Sequence, residues 1–464
     1  MANLTVTHAP NDWEMANGNV ILSLYDTFQW GGQHAIRFFG TDGVTILNEI
    51  RQNPNIVGYT HFDLQKLITN QMSLPSNPEG NNPSTQLNLA DGAIFDYKYE
   101  YGFYLFNNWL SPSSQFPLPL KTAINGRKAY YDVDWTVSPY IPTISDAGVA
   151  NSTDIFQPAV TDKNIYPTRL MSTYTTTPSW AVASLVIHPV KTMEASYETL
   201  SWLNGWNDGT PVPQATYNGI NGFLFAPFDS AGASLGEFQI VNTTTTGGGP
   251  DVAFNDSIAP TGDFRMIGVK VGPTNNTTLD SLVDLDHYYV APFAYSQDPD
   301  VSIVPLVIGD AYRYQIIPPE CKDYDVIQMA WINSFGNFDY FDFQKKNVRT
   351  DAISRNNYNP TPESWSSTNV TISTYTRGKT TFSTEVVENQ TATTRYISED
   401  DSQYLKNLYR APSAFCRFAG DTTWTPVILT SNAWTEKTVK NQNRRLFQHE
   451  ISFNIAWNPQ IQNG

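Results

Sequence analysis

A few residues of this chain have types and spacings that could do chemistry. Asp132 and Asp134 share one face of a predicted strand, and Asp339 lies in an aromatic run that also holds Asp342. Paired carboxylates beside aromatic side chains are typical of glycosidase clefts. Any half-exposed aromatic strand shows the same pattern, however, and no nucleophile or phosphate-binding motif accompanies it. We therefore expect that the protein is not an enzyme.

The six histidines are scattered along the chain. His188 ends an apolar strand, and a catalytic role would require a nucleophile and an orienting acid. A structural histidine is the favoured interpretation. His287 follows Asp284 and Asp286, a set of donors that could hold a metal ion, but the acidic glycine-containing loop of calcium sites is missing. We expect no metal and no other cofactor.

The two cysteines, Cys321 and Cys416, have neither the CxxC nor the Cys/His spacing of a metal site. Cys416 lies in an apolar run and is predicted to be a small buried side chain. So few cysteines are typical of a protein that folds in a reducing cytoplasm. Residues 1–10 lack the basic and apolar regions of a signal peptide. No apolar run approaches the ~20 residues that span a bilayer.

Composition favours surfaces and strands over a reaction centre. Charged residues make up 16% of the 464 residues, well below the ~25% that is typical of soluble proteins. The net charge of −16 opposes direct binding to a phosphate backbone. Basic residues approach a cluster only at 345–349 and 437–445. Solvated faces are the favoured interpretation, and contact with an acidic neighbouring subunit is the alternative.

Aromatic residues are abundant, with 12 Trp, 25 Tyr and 25 Phe. Filling of β-sheet cores explains most of them. Burial in subunit interfaces comes second, and stacking on sugars comes third.

Short strands separated by Gly, Pro and Asn predict a mainly β fold with two or more β-sandwich-like modules, a few short helices and long polar arms. We expect an N-terminal β-rich domain at 1–178, with a polar arm at about 138–167. A middle β domain is predicted at 179–310, with a flexible loop at 242–250. A C-terminal β domain is predicted at 311–464.

The clearest local signal is a hairpin at 324–344. Two β-favouring runs flank a short turn that contains glycine, which is the signature of two antiparallel neighbours. The candidate structural residues of this hairpin are Trp331, Asn333, Gly336, Phe338 and Tyr340.

Other elements are predicted from spacing and capping. Ser398 followed by Asp401 approximates a capping box and predicts a short helix near 399–410. Apolar residues recur at near-helical spacing at 44–50 and 62–68, which predicts two further short helices. A second hairpin is predicted to join 370–376 to 380–387. The last strand, around 449–457, alternates between apolar and polar residues.

Several stretches of the chain resemble virion structural proteins of tailed bacteriophages, above all those of crAss-like and other Bacteroidetes phages. The stretches are Tyr312–Pro318, Trp331–Phe341, Trp424–Leu429, Glu436–Lys437, Leu446–Ile451, and Asn11–Trp13 with Asn19–Val20. The resemblance implies a tail, tail-hub or ring component and carries over no catalytic residue.

These observations together predict a non-enzymatic virion subunit that assembles in the host cytoplasm. Its expected partners are copies of itself in a ring or collar and other virion proteins, without direct nucleic-acid contact or a membrane span. The alternative is a receptor- or glycan-binding tail adhesin, or a capsid decoration protein, which would contact the host surface.

Overall fold

Strands dominate the computed structural model of the chain. The residues that it describes are 4–10, 13–18, 20–27, 32–40, 43–72, 78, 87–89, 94–105, 108–110, 118, 120–125, 159, 161–165, 168–169, 176–180, 186–203, 222–241, 266–295, 305–307, 310–319, 324–359, 364–365, 368–371, 379–431, 434 and 446–456. Strands hold 55% of these residues and helices hold 8%. The predicted mainly β class with few short helices is therefore confirmed. Within these ranges, no helix has the length and apolarity needed to cross a membrane.

The chain divides into two compact units. The first unit comprises Met1–Pro318 and Ala330–Phe341, and the second comprises Pro319–Met329 and Asp342–Gly464. The first two predicted domains both lie in the first unit, and the third, 311–464, is divided between the units. The division into three domains stays a prediction.

The N-terminal strands of the first unit form two sheets around one core. These strands are β1 (Leu4–His8), β2 (Trp13–Met15), β3 (Ile21–Asp26), β4 (Gln33–Phe39), β5 (Ile46–Gln52), β6 (Tyr59–Asp63), β8 (Ile94–Leu105), β9 (Asn108–Leu110) and β10 (Leu120–Ile124). The strand β7 (Leu87–Leu89) lies among them in sequence but pairs in another sheet. One sheet has the order β1-β3-β6, and the other has β2-β10-β8-β4-β5 with β9 beside β8. Leu22 and Phe62 of the first sheet share a buried core with Phe38 and Tyr97 of the second. The arrangement is sandwich-like.

Of the two helices predicted in this region, one is wrong and the other is confirmed in part. The residues at 44–50 form no helix, since Ile46–Gln52 is a strand at the edge of its sheet. Val44, Ile46 and Leu47 are exposed, so their helix-like spacing does not correspond to a buried face of a helix. At 62–68 the prediction holds in part, because Phe62 ends a strand and helix α1 covers Gln65–Thr69.

The rest of the first unit builds a second pair of sheets. Its strands are β11 (Thr168–Arg169), β12 (Val186–Thr192), β13 (Thr199–Leu203), β14 (Gly222–Asp229), β15 (Phe238–Val241), β16 (Met266–Lys270), β17 (Leu285–Tyr295), β18 (Pro305–Val307) and β19 (Ala311–Ile316), with helix α2 at Thr277–Asp280. The larger sheet has the order β11-β12-β19-β17-β14-β15, with β18 beside β17, and the smaller has β13-β16-β7. Trp202 of the smaller sheet packs with Phe223 and Tyr312 of the larger one. The strand β7 joins the smaller sheet by antiparallel pairing with β16.

The predicted hairpin at 324–344 is present, and the chain passes between the units along its two strands. The remaining elements are β20 (Ile327–Ile332), β21 (Phe338–Phe343), β22 (Asn347–Tyr358), β23 (Ser364–Trp365), β24 (Val370–Thr371), β25 (Thr380–Thr393), helix α3 (Glu399–Leu405), β26 (Ala414–Phe418), β27 (Thr425–Leu429) and β28 (Glu450–Ile455). The second unit contains one main sheet, whose order is β26-β27-β28-β25-β22. The residues of β20 and β21 that belong to this unit precede β26 in that order.

The second unit confirms two local predictions. Ser398 and Asp401 form the reciprocal hydrogen bonds of a capping box at the start of α3. Ile451 and Phe453 of β28 are fully buried, as the alternation predicted. The hairpin predicted between 370–376 and 380–387 stays a prediction, because residues 372–378 lie outside the described part of the chain; of its described residues, Val370 and Thr371 pair with β23, and 380–387 pair with β22.

Candidate functional site

The turn of the hairpin is built by its own side chains. Asn333 Oδ1 accepts hydrogen bonds from the backbone N–H groups of Phe335, at 2.9 Å, and Asn337, at 3.0 Å. The Asn333 N–H donates to the Asn337 carbonyl at 2.7 Å, which closes the strand ends. Trp331, Phe338 and Tyr340 are buried. The five candidate residues therefore belong to one structural unit.

Gly336 is needed in this turn for two reasons. Its φ of +78° lies in the left-handed region, where a side chain is strained. A Cβ at this position would also lie 1.9 Å from the Asn125 carbonyl oxygen. The turn thus packs directly on the chain that follows β10, and only glycine permits the approach.

A buried polar cluster lies beside the turn. Asp339 Oδ1 accepts a hydrogen bond from Thr161 Oγ1 at 2.6 Å, and Asp339 Oδ2 accepts one from the Asp162 N–H at 3.0 Å. Asp162 in turn accepts a hydrogen bond from Ser334 Oγ at 2.6 Å. Two carboxylates, from positions far apart in sequence, therefore tie a short 3₁₀ turn, Asp162–Ile165, to the hairpin.

The cluster has an unusual proton affinity. Burial, reinforced by the negative charge of Asp162, raises the pKa of Asp339 to about 7. Such a value would suit a general acid at neutral pH. Both oxygens of Asp339 are occupied by the chain itself, however, and only 2% of the residue is exposed. The geometry is that of an anchor, because both carboxylate oxygens bond to the segment at Thr161 and Asp162.

A second set of polar contacts holds the same segment. Lys163 forms an ion pair with Glu198, which also accepts a hydrogen bond from the Tyr314 hydroxyl at 3.1 Å. Tyr312 donates to Asn164 Oδ1 at 2.5 Å and accepts from the Ala159 N–H at 2.8 Å. The described end of the predicted arm is therefore held by its own unit. Residues 138–158 lie outside the described residues, as does the loop 242–250.

The histidines singled out by sequence have structural partners. His188 Nε2 lies 2.6 Å from Asp310 Oδ2, and its ring stacks on Tyr312 at 4.8 Å. Burial raises the pKa of Asp310, although the hydrogen bond to His188 opposes that shift. His287 contacts Asp286 at 2.9 Å, and burial lowers its pKa. Among the described residues, no group of three or more His, Cys, Asp or Glu side chains could hold a metal ion.

The structure does not test the remaining carboxylate candidates as a site. Asp132 and Asp134 lie outside the described residues. Asp339 belongs to the first unit, whereas Asp342 belongs to the second. Cys416 is buried, and burial raises the pKa of its thiol to about 12, as expected of an inert side chain. Cys321 also lies outside the described residues.

A polar and aromatic surface covers part of the N-terminal sheet. Arg37 lies 4.0 Å above the ring of Trp109, and Arg51 lies 3.6 Å above the ring of Tyr104. Glu49 bonds both arginines and accepts a hydrogen bond from the Tyr104 hydroxyl at 2.8 Å. These rings are covered by guanidinium groups, which favours a structural surface over sugar stacking.

Of the two predicted basic clusters, the first lies in the described part of the chain and the second does not. Lys345 lies 4.0 Å above the ring of Tyr396, and Arg349 bonds Glu388 at 2.7 Å. The residues 437–445 lie outside the described part of the chain. The first cluster thus contacts groups of its own unit.

The second unit presents a long two-stranded ribbon. The 12 residues of β22 pair antiparallel with β25 along their whole length. Every side chain of β22 after Asn347 is exposed. Val348, Ile353, Tyr358 and Phe382 are large apolar side chains with 41% to 52% exposure. The ribbon is the part of the described structure that most resembles an unoccupied interaction surface.

Sequence reasoning missed β22, Asp162, Glu198 and Asp310. The strand lacks alternation because both of its faces are wet, and only its β-branched residues, such as Val348 and Ile353, indicated a strand. The carboxylates carried no local signal, since Asp162 and Asp339 are 177 residues apart.

Comparisons with known proteins add little. No protein-family model matches the chain, and no curated protein matches it. Among solved structures, a marsupial T cell receptor is similar over 92% of this chain and 99% of its own, with 8% identity and a TM-score of 0.17. A TM-score this low supports no conclusion about fold or function.

Proposed function

We propose that the chain is a non-enzymatic structural subunit of a tailed bacteriophage virion, in the tail, the tail hub, or a ring or collar. The observation that carries the structural role is the β22–β25 ribbon. A regular strand exposed on both faces adds little to the core of its own unit. It is well suited to pairing with another chain.

The placement in a phage virion rests on the resemblance of Trp331–Phe341 and Leu446–Ile451 to virion proteins. The first of these stretches contains the hairpin turn, whose docking requires Gly336. The subunit would assemble in the host cytoplasm with copies of itself and neighbouring virion proteins. The net charge of −16 opposes a direct role in DNA binding.

The buried cluster supports a role without catalysis. Asp339 has the proton affinity of a general acid, but both of its oxygens bond the chain itself. We expect no hydrolysis of peptidoglycan or capsule. Release of reducing sugar that is abolished by Asp339→Asn would contradict this expectation, provided that circular dichroism shows the variant to be folded.

The decisive experiment is to locate the chain in particles. Mass spectrometry of purified virions should detect it at a stoichiometry that matches a ring or collar, and cryo-microscopy should place it there. A chain that is absent from particles and strictly monomeric in solution would overturn the proposal.

An adhesin or capsid decoration protein is the second candidate. The observation that favours it is the exposed aromatic pair Tyr358 and Phe382, whose ring centroids are 6.1 Å apart, because exposed aromatic rings stack on sugars. Saturable binding to host cells or to a glycan array, lost in Tyr358→Ala and Phe382→Ala, would select this function. Unchanged binding in both variants would remove its structural support.

A further inference from the structure

Within the described part of the chain, the outer edge of β22 is long, regular and unpaired. Among the described strands, only β25 pairs with β22, which ends the sheet order. The register shift near Asn356 and Asn357 places the extra residue, Phe382, on β25, so β22 itself is uninterrupted. The strand contains no proline. Such an edge presents a row of backbone donors and acceptors that is ready for another strand.

Symmetry limits how two copies of this edge can pair. Two identical edges that pair antiparallel are related by a two-fold axis perpendicular to the sheet. Residues that lie directly opposite each other in an antiparallel pair point to the same face of the sheet. The two-fold axis must therefore pass between one residue and the same residue of the second copy. In two registers of this kind, every residue of β22 except one lies opposite a residue of β22 in the second copy. One is centred on Ala352 and the other on Ile353.

The charges of β22 distinguish these registers. Centring on Ala352 places Arg349 opposite the partner's Arg355, and symmetry produces this repulsive pair twice. Centring on Ile353 places Asp351 opposite the partner's Arg355, also twice. Opposite charges directly across a strand pair stabilise it, whereas like charges destabilise it.

Among the described residues, neither Asp351 nor Arg355 has a close ion-pair partner. Asp351 lies opposite another carboxylate, Glu388, in the ladder with β25. Arg349 bonds Glu388 at 2.7 Å and approaches Asp351 only to 4.0 Å. Arg355 lies opposite Thr384 and forms no ion pair with any described residue. The edge therefore offers one anion and one cation to a partner.

The exposed apolar residues select the same register. Val348, Ile353 and Tyr358 are 41%, 50% and 47% exposed, and they are spaced symmetrically about Ile353. In the register centred there, Val348 faces the partner's Tyr358, and Ile353 faces its own copy. In the alternative register, Ile353 faces the partner's Asp351, which leaves both groups poorly matched.

We propose that β22 pairs antiparallel with β22 of a second copy of this chain, about a two-fold axis at Ile353, with Asp351 and Arg355 forming reciprocal ion pairs. This inference rests on the proposed function as a self-assembling subunit and specifies its contact. The contact joins two ribbons into one continuous four-stranded sheet.

Crossed charge variants test the ion pairs. Asp351→Arg gives a copy with two arginines at these positions, and Arg355→Asp gives a copy with two aspartates. We expect each variant alone to self-associate about tenfold more weakly than the wild type in sedimentation equilibrium, since two attractive pairs become repulsive. An equimolar mixture should recover wild-type association, because each arginine then faces an aspartate.

The control for net charge is Glu385→Arg, which changes the charge as much as Asp351→Arg does. Glu385 lies on β25, away from the outer edge of β22. The self-association constant of the Glu385→Arg variant should therefore stay within about twofold of the wild-type value. Equal weakening by this control, or a mixture no stronger than the separate variants, would overturn the ion pairs.

Engineered cysteines test the register. Ile353→Cys should form a disulfide-linked dimer under mild oxidation, because Cβ atoms of opposed residues are about 5 Å apart. Ala352→Cys is the matched control and should crosslink no more than the wild type with its two native cysteines. Crosslinking by Ala352→Cys alone would establish the alternative register and overturn the one proposed.

The outcomes also separate the inference from the proposed function. If the chain is found in virions but Ile353→Cys never crosslinks, in solution or in particles, edge pairing is wrong and the structural role stands. If Ile353→Cys crosslinks but the chain is absent from virions, edge pairing stands and the phage assignment is wrong.

Discussion

The hairpin turn with its polar cluster and the β22–β25 ribbon use similar residues in opposite ways. In the first region, Asp339 and Thr161 are buried, and the chain itself satisfies both oxygens of Asp339. In the second, Asp351 and Arg355 are exposed, and among the described residues the one ion-pair contact of the two is the 4.0 Å approach of Arg349 to Asp351. Carboxylates alone therefore do not indicate function. The useful distinction is whether the chain supplies the partner.

The largest effect is expected from the turn. Gly336→Ala should lower the free energy of unfolding by about 3 kcal/mol or more, because it combines a strained φ with a backbone clash at Asn125. The matched control is Gly236→Ala, since Gly236 also has a positive φ but nothing within 4 Å of its Cβ position. The control should lose only about 1 kcal/mol. Urea denaturation measures both, and equal losses would show that the turn does not pack as described.

Removing one carboxylate from each region tests whether the buried carboxylate stabilises the chain more than the exposed one does. Asp339→Ala leaves the Thr161 hydroxyl and the Asp162 N–H without their buried acceptor, at a cost of about 2–3 kcal/mol. Asp351→Ala should change the free energy of unfolding by less than about 0.5 kcal/mol, because it removes an exposed charge beside Glu388. Similar denaturation midpoints for the two variants would contradict the distinction.

The sequence predicted the hairpin well and its docking not at all. Alternating β-favouring residues around Asn333 and Gly336 are local information, and so is the capping pair of Ser398 and Asp401. The contacts of Asp339 with Thr161 and Asp162 depend on how distant strands are arranged, and no short-range pattern encodes them.

Edge strands were the other failure. β5 was predicted to be a helix, and β22 was not predicted. A strand exposed on both faces needs no alternation of apolar and polar residues, so periodicity carries no information there. The strands that escape sequence analysis are thus exposed edge strands, and one of them, β22, is the strand that our proposal assigns to assembly.

The pH dependence of stability sharpens the comparison further. Burial and the charge of Asp162 raise the pKa of Asp339 from its ordinary value of 3.8 to about 7. Between these values the folded chain keeps a proton that the unfolded chain has released. The Asp339 contribution to the free energy of unfolding therefore decreases as pH rises through this window.

Asp339→Asn should reduce that slope, since the amide does not titrate. Asp351→Asn is the exposed control and should leave the slope unchanged. Denaturation midpoints at pH 4, 5, 6 and 7 measure the difference. An identical slope for wild type and Asp339→Asn would mean that Asp339 is ionised throughout.

The smallest free energies of local opening are expected for the backbone amides at the outer edge of β22. In an antiparallel pair, the N–H groups of alternate residues point towards the partner strand, and the others point away. In the dilute isolated chain, hydrogen exchange along β22 should therefore alternate, with outward amides exchanging at nearly the rate of an unfolded chain. The amides that bond β25 should be slower. When copies pair or assemble into particles, the fast set should slow down while the Asp162 amide, already bonded to Asp339, stays unchanged. If the outward amides are protected at every concentration, the edge is already covered by the chain itself, and the contrast between the two regions disappears.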